Sequence, residues 1–176
     1  VKALLREGFE VVIFDNFSSG REELVVGGEV IRGDLDDKEP IRRVLSMGNI
    51  EAVLHFASLI QVGESYLNPQ RYYTHNLSTS LNLLEAMLEA GVKKVIFSSS
   101  AAVYGTPLET PITESHPLNP INPYGYTKLF VERILQDYDK AYGLKSISLR
   151  YFNAAGADPD SELGEILDAP ITLDPD

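Results

Sequence analysis

The sequence predicts an α/β protein built around a parallel β-sheet, and three observations support this prediction. Short apolar runs rich in β-branched residues alternate with longer stretches of helical periodicity, the order typical of strands joined by crossover helices. Of the 176 residues, 44% are hydrophobic, which is enough for one buried core. Aspartate, serine or glycine closes or follows several apolar runs, where open parallel sheets place their binding groups.

Five apolar runs are predicted to be strands, because each is three to six residues long and rich in valine, isoleucine or leucine. These runs are residues 11–15, 30–32, 52–57, 94–99 and 146–150. Residues 1–8 resemble the tail of a helix. Residues 37–47 predict a second helix, with Ile41, Val44 and Leu45 on one side.

Two longer helices are predicted from apolar residues that recur every three or four positions. The first covers residues 69–90 and stops at Gly91. The second covers residues 124–142 and stops at Gly143. Their predicted buried faces carry Leu77, Leu81, Leu84 and Leu88 on the first helix and Val131, Ile134, Leu135, Tyr138 and Ala141 on the second.

The charge and composition exclude several classes of function. A net charge of −11 argues against nucleic-acid binding, which needs clustered lysine and arginine. We find no apolar run long enough to span a bilayer and no signal peptide, so we expect a cytoplasmic protein without a membrane partner. The chain has no cysteine, and its three histidines lack partners at metal-ligand spacing, so we predict no metal site.

Two acidic segments follow the first two predicted strands. Asp15 closes the first strand and precedes the turn-prone residues 16–20. A carboxylate there could accept hydrogen bonds from the adenosine ribose of NAD and repel the extra phosphate of NADP, or it could simply cap a turn. Arg21 lies close by and could instead serve a phosphate. Asp34, after the second strand, could reach an adenine or cap the following helix.

The most informative pair is Tyr124 and Lys128, at the start of the last long helix. Residues four apart lie one turn apart on the same helix face. A phenol titrates near pH 10 in water, and a nearby ammonium should favour the phenolate. Tyr124 is therefore a candidate general base. Ser100, at the carboxyl end of a predicted strand, would add a hydroxyl beside it. Either motif alone arises often by chance.

In this order and spacing, the segments VVIFDNFSSG, GDLDD, HFASLIQVGES, SSSAAVYG, NPYGYTK and LRYFNAAGADP resemble the extended short-chain dehydrogenase/reductase superfamily, and within it the UDP-glucose 4-epimerase family. The resemblance covers residues 1 to about 165. It implies a Rossmann-like, doubly wound parallel sheet that lacks its first strand and its C-terminal substrate domain. Residues 1–157 would form an incomplete NAD-binding domain, and residues 158–176 an acidic loop or tail leading to the absent domain.

The resemblance also implies a role for individual residues. Ser100, Tyr124 and Lys128 would be the catalytic set and would bind NAD, and Ser100, Tyr124 and Asn153 would contact the substrate. The remaining NAD-binding residues would be Asp15, Asn16, Phe17, Ser18, Ser19, Gly20, Asp34, Leu35, Phe56, Ala57, Ser58, Leu59, Ile60, Asn76, Tyr151 and Phe152. Many bacterial relatives carry a lysine in place of Ile60, so pyrophosphate binding here would be weaker or organised differently.

The implied reaction is the interconversion of UDP-glucose and UDP-galactose through a 4-keto sugar, with a homodimer formed by the two long helices. Tyr72 and Tyr73 would be surface or interface aromatics. Dehydration is disfavoured, because related dehydratases place an acidic pair after the serine, where this chain has Ala101 and Ala102. A reductase, an epimerase for another UDP-sugar, and an inactive fragment acting as an interaction module stay open. We expect the 176-residue chain alone to be poorly active or inactive.

Overall fold

A computed structural model describes residues 1–155 and 158–160. Within them five strands, all parallel to their neighbours, are joined mainly by helices, which confirms the predicted fold class. The strands are β1 (Val12–Asp15), β2 (Glu29–Arg32), β3 (Val53–His55), β4 (Lys94–Ser100) and β5 (Lys145–Tyr151). The helices are α1 (Lys2–Arg6), α2 (Lys38–Ser46), α3 (Val62–Leu67), α4 (Pro69–Glu89) and α5 (Pro123–Tyr142), with short 3₁₀ turns at Glu22–Leu24 and Ala101–Val103.

The strands divide into two sheets. β1 pairs with β2, and β4 lies between β3 and β5. Among the described residues no ladder joins β1 to β3. Parallel pairing brings the carboxyl ends of neighbouring strands together, and Ser100 lies opposite Tyr151 in the β4–β5 register.

Local sequence signals set both ends of α5 and the start of α2. The Asn122 side chain accepts a hydrogen bond from the Gly125 N–H at 2.7 Å, and Pro123 occupies the first turn of α5. Gly143 ends α5 with φ of 69°, the left-handed conformation that glycine adopts without strain. Asp37 caps α2 by accepting from the Glu39 N–H, so Asp34 is not that cap.

One hydrophobic core lies under both sheets. α4 and α5 pack against each other, and α5 also contacts β4 and β5. The predicted apolar face of α2 is confirmed, since Ile41, Val44 and Leu45 are all buried in this core. The opposite face of the three-stranded sheet carries exposed apolar side chains, namely Leu54, Phe56, Ile147, Leu149 and Tyr151. No helix among the described residues is both long and apolar enough to cross a bilayer.

Three details of the helical faces differ from the prediction. Leu81 of α4 is 39% exposed, because the buried stripe of α4 is turned towards Tyr72, Asn76 and Ser80 instead. Tyr72 is therefore fully buried and not a surface aromatic. Ala141 is exposed near the end of α5. The predicted tail at 158–176 lies mostly outside the described residues.

Candidate active site

The site is built around the first two turns of α5, where Tyr124 and Lys128 lie on the same face. Both side chains are buried, with 8% and 2% of their surface exposed. The Lys128 Nζ lies 5.6 Å from the centre of the Tyr124 ring. Gly125 allows α5 to approach the 3₁₀ turn after β4 closely, because a Cβ there would lie only 2.7 Å from the Ala102 backbone oxygen. The predicted pairing of phenol and ammonium is thus present.

The ammonium of Lys128 is held by two oxygen atoms, one from the segment after β3 and one from β4. It donates to the Ser58 hydroxyl at 2.7 Å, just after β3, and to the Ser98 backbone oxygen of β4 at 2.8 Å. The Phe97 ring lies 5.1 Å from Nζ. Burial of the side chain lowers the pKa of Lys128 to about 8. The amine is therefore easier to deprotonate than a surface lysine.

Ser100 lies next to Tyr124, as predicted. The Ser100 hydroxyl accepts a hydrogen bond from the Ala102 N–H at 3.2 Å. Burial raises the pKa of the Tyr124 phenol, and its hydrogen bond with Ser100 partly opposes that rise. The sequence predicts that the ammonium lowers this pKa, and that prediction is wrong, because removing the phenol from water has the larger effect.

Asn76 links α4 to the segment after β3 and to α5. Its side-chain oxygen accepts from the Leu59 N–H at 2.8 Å, and its amide nitrogen donates to the Leu59 carbonyl and to the Thr127 hydroxyl, both at 3.1 Å. Thr127 lies between Tyr124 and Lys128, and its hydroxyl donates to the Tyr124 carbonyl. The amide therefore fixes Leu59 and Ser58 relative to α5.

The residues predicted to bind adenosine form a second group at the carboxyl ends of β1 and β2. Asp15 accepts from the Phe17 N–H at 2.7 Å, and Phe17 adopts a left-handed φ of 54°. The Asn16 amide donates to Asp34 at 2.8 Å. The Asp36 N–H and this amide hold the pKa of Asp34 below its usual value. One oxygen of Asp15 is engaged in the turn, and the described contacts leave the other available to a ligand.

The remaining predicted residues differ widely in accessibility. Leu35 is buried in the core, and its backbone oxygen accepts a hydrogen bond from the Asn82 amide at 2.7 Å. Nine of the remaining residues predicted to bind NAD or substrate are exposed: Ser18, Ser19, Gly20, Phe56, Ala57, Ile60, Tyr151, Phe152 and Asn153. Phe56, Ile60 and Phe152 each expose more than half of their surface. Large apolar groups left uncovered at strand ends are suited to covering the flat rings of a dinucleotide.

Sequence reasoning missed a buried ionic network behind the site. Glu132 of α5 forms a two-pronged ion pair with Arg150 of β5, with N···O distances of 2.9 and 2.7 Å. Ser99 donates to the same carboxylate, and Arg150 also donates to the Tyr104 hydroxyl at 3.1 Å. Glu132 lies one turn beyond Lys128, which is the only signal in the sequence that could have drawn attention to it.

The three histidines have packing or surface environments. His55 is buried in β3 with its Nε2 3.0 Å from the Ser80 hydroxyl, and burial lowers its pKa to about 3. His116 bonds the Leu108 N–H and the Pro117 carbonyl. His75 lies 3.4 Å from Asp36. Among the described residues, no three histidine, aspartate or glutamate side chains are grouped so as to hold a metal ion.

Comparison with known proteins extends the likeness over nearly the whole chain. The chain is 46% identical over 162 residues to a UDP-glucose 4-epimerase from Rhizobium meliloti, covering 92% of this chain and 49% of that protein. The structure of UDP-glucose 4-epimerase from Brucella ovis in complex with NAD matches with a TM-score of 0.92 and 45% identity, over 95% of this chain and 51% of that one. The enzyme from Bifidobacterium longum in complex with NAD⁺ and UDP matches with a TM-score of 0.89 and 42% identity, over 93% and 52%.

The chain thus spans about half the length of the relatives that it matches. The resemblance inferred from the motifs is confirmed. The model of the NAD dependent epimerase/dehydratase family matches residues 1–172. This range includes Tyr124 and Lys128, and also the acidic turn formed by residues 15–20 after β1. The chain belongs to this NAD dependent epimerase/dehydratase family.

Proposed function

We propose that the complete gene product containing this chain interconverts UDP-glucose and UDP-galactose with NAD as a resident cofactor. The observation that carries the proposal is the meeting of Tyr124, Ser100 and Lys128 at the carboxyl end of β4. The relatives named UDP-glucose 4-epimerase support the choice of substrate. The structures with bound NAD support the choice of cofactor.

The residues present fit a dinucleotide. Lys128 is a buried cation, with no carboxylate within ion-pair distance among the described residues, and it can donate to a ribose hydroxyl. Asp15 and Asp34 offer acceptors at the other end, and Phe56 and Phe152 offer exposed apolar surface. When bound, NAD supplies a reversible hydride acceptor.

In this proposal, the oxygen of Tyr124 removes the proton from the sugar 4-hydroxyl and later returns it to the 4-keto sugar presented on its other face. Ser100 donates a hydrogen bond to the reacting sugar oxygen. Because burial raises the pKa of Tyr124, forming its phenolate is costly. The positive charge of Lys128, 5.6 Å from the ring centre, stabilises that phenolate through the low-dielectric interior.

Neighbouring residues disfavour the dehydratase alternative. Ala101 and Ala102 form the 3₁₀ turn directly after Ser100. Neither side chain can give or take a proton, whereas elimination of water needs an additional acid and base. The relatives named UDP-glucose 4-epimerase support UDP-hexoses as the substrates.

We also propose that the complete protein forms a homodimer through α4 and α5. Tyr73, Tyr126 and Phe130 form an aromatic cluster on these helices, with ring centres 6.0 to 6.3 Å apart. Phe130 exposes 43% of its surface. An accessible aromatic cluster spanning two packed helices supports an interface there.

The test of the catalytic role is Tyr124→Phe in the complete gene product. Turnover of UDP-galactose should fall by about a hundredfold or more, because a positioned acid–base group is lost. NAD affinity should change far less. Tyr142→Phe is the matched control, since Tyr142 is an exposed tyrosine at the far end of the same helix. Near-normal turnover in Tyr124→Phe would remove the tyrosine from its proposed role.

A further inference from the structure

Lys128 lies in an unusual environment for a buried cation. Its side chain is almost fully enclosed, yet among the described residues its ammonium forms no ion pair with a carboxylate. Buried charges are normally paired, because the loss of hydration is costly. Across residues 1–155 and 158–160, the charge is supported only by oxygen dipoles and by the faces of the Phe97 and Tyr124 rings.

The two oxygen dipoles are not equivalent. The Ser98 oxygen belongs to the backbone of β4, so it is present whatever the side chain is. The Ser58 hydroxyl is the only side-chain oxygen that contacts Nζ within the described part of the chain. It comes from a segment 70 residues away, whose backbone is fixed at Leu59 by Asn76. The backbone next to Ser58 is therefore fixed in place, and a substitution at Ser58 can remove its hydroxyl from Lys128.

We propose that Ser58 is a positioning residue for Lys128: its hydroxyl holds the ammonium at the site and keeps it protonated near neutral pH. Glu132 lies one turn further along α5, but its carboxylate is engaged by Arg150 and Ser99. The titratable groups that face Lys128 itself are His55 from β3 and Tyr124 from its own helix. Neither is an anion at neutral pH, since burial keeps His55 neutral and raises the pKa of Tyr124. Within the part of the chain that the structure describes, no charged group at ion-pair distance therefore replaces the hydroxyl if it is removed.

The consequence for catalysis rests on the proposed function, in which Lys128 serves both the cofactor and Tyr124, but the contact itself can be tested without turnover. The measurement is the pH titration of Lys128 by NMR in the 176-residue chain with isotopically labelled lysine, and Lys128→Arg identifies its signal. The unsubstituted chain should titrate near pH 8. Ser58→Ala should titrate about one pH unit lower, because a hydrogen bond to the charged form is lost.

Two further variants separate positioning from general destabilisation. Ser58→Thr retains a hydroxyl and should titrate like the unsubstituted chain. Ser65→Ala is the matched control: Ser65 is also a buried serine, and its hydroxyl contacts the Val62 carbonyl rather than Lys128. Ser65→Ala should leave the midpoint of the Lys128 pH titration unchanged, even if it lowers the free energy of unfolding. Ser58→Gly repeats the test if Ser58→Ala does not fold.

The proposal is overturned if the Lys128 midpoint in the folded alanine or glycine variant stays at its original value, or if Ser65→Ala shifts it equally. It is also overturned if Ser58→Thr lowers the midpoint as much as Ser58→Ala does. These outcomes are independent of the epimerase assignment. The pH titration of Lys128 can be measured even if the chain binds no NAD and turns over no UDP-sugar. Full activity in Tyr124→Phe would refute the proposed catalytic role of Tyr124 but would not change the result for the contact between Ser58 and Lys128.

Discussion

The two ends of the proposed cofactor site are built in contrasting ways. At the adenosine end, Asp15 is exposed, and its contact with the Phe17 N–H spans only two residues. At the catalytic end, Lys128 is buried, and its contacts join residues 30 and 70 positions apart. The first end is a local turn that the chain can form early. The second exists only once α5 has packed against the sheet, so its stability and its chemistry should be coupled.

The largest effect should come from breaking the ion pair behind the catalytic end. In Glu132→Gln, Arg150 keeps its charge but loses its carboxylate partner, and Ser99 loses a charged acceptor. Only 4% and 20% of the two paired side chains are exposed. Removing one member of a buried pair costs about 3–5 kcal/mol of unfolding free energy. Urea unfolding of the chain measures this loss.

The matched control lies in the other region. Glu22 and Arg32 also form an ion pair, beside β2, but both side chains are more than half exposed. Glu22→Gln should change the free energy of unfolding by about 1 kcal/mol or less, since water screens an exposed pair. Equal losses in the two variants would contradict the proposed contrast between the regions.

This contrast also explains how much the sequence could predict. All five strands and the two long helices were found from periodicity, because an apolar run or stripe is a local property. The positions of Asp15, Tyr124 and Lys128 could be predicted because turn and helix spacing place them without knowledge of the rest of the fold. The Glu132–Arg150 pair was not found, since its members are 18 residues apart on a helix and a strand. Only packing brings them together.

The same reasoning explains why the sequence predicts the wrong buried face for part of α4. Its leucines suggested that Leu81 would be buried, but the helix instead buries the polar Asn76 and Ser80. These residues meet hydrogen-bond partners on other elements, the Leu59 backbone and His55. Hydrophobic periodicity cannot indicate such a face. The short helix α3, with six residues and little apolar pattern, was missed for a related reason.

The second prediction is that Lys128→Met stabilises the folded chain near neutral pH. Burial lowers the pKa of Lys128 to about 8, so the folded state binds this proton more weakly than the unfolded state does. Folding therefore becomes more favourable as the pH rises above 8 towards 10.5. Replacing the cation by an apolar side chain of similar length should add about 1–3 kcal/mol at pH 7.

Unfolding measured between pH 7 and 9.5 tests this prediction in two ways. The unsubstituted chain should gain stability across the upper part of that range, and Lys128→Met should lose this gain. Lys140→Met is the control, because Lys140 is on the same helix with 71% of its side chain exposed. If Lys128→Met were less stable than the unsubstituted chain at pH 7, the ammonium would be contributing to the fold and not only to the site.

The smallest effect on stability should come from Asp15→Asn at the adenosine end. Asparagine retains a side-chain oxygen that can accept from the Phe17 N–H, and the position is exposed, so unfolding should change by about 0.5 kcal/mol or less. In the complete gene product, NAD affinity should fall by about tenfold, because hydrogen bonds between the ribose and a charged acceptor are weakened.

Discrimination against NADP should narrow at the same time, since the carboxylate no longer repels the additional phosphate. Calorimetric titration with both dinucleotides measures the two affinities. Asp137→Asn is the control, because Asp137 lies exposed on α5, away from the acidic turn. A large loss of stability in Asp15→Asn, with unchanged NAD affinity, would contradict the proposed contrast between the two ends. Asp15 would then stabilise the folded chain, and the adenosine would have to be bound elsewhere.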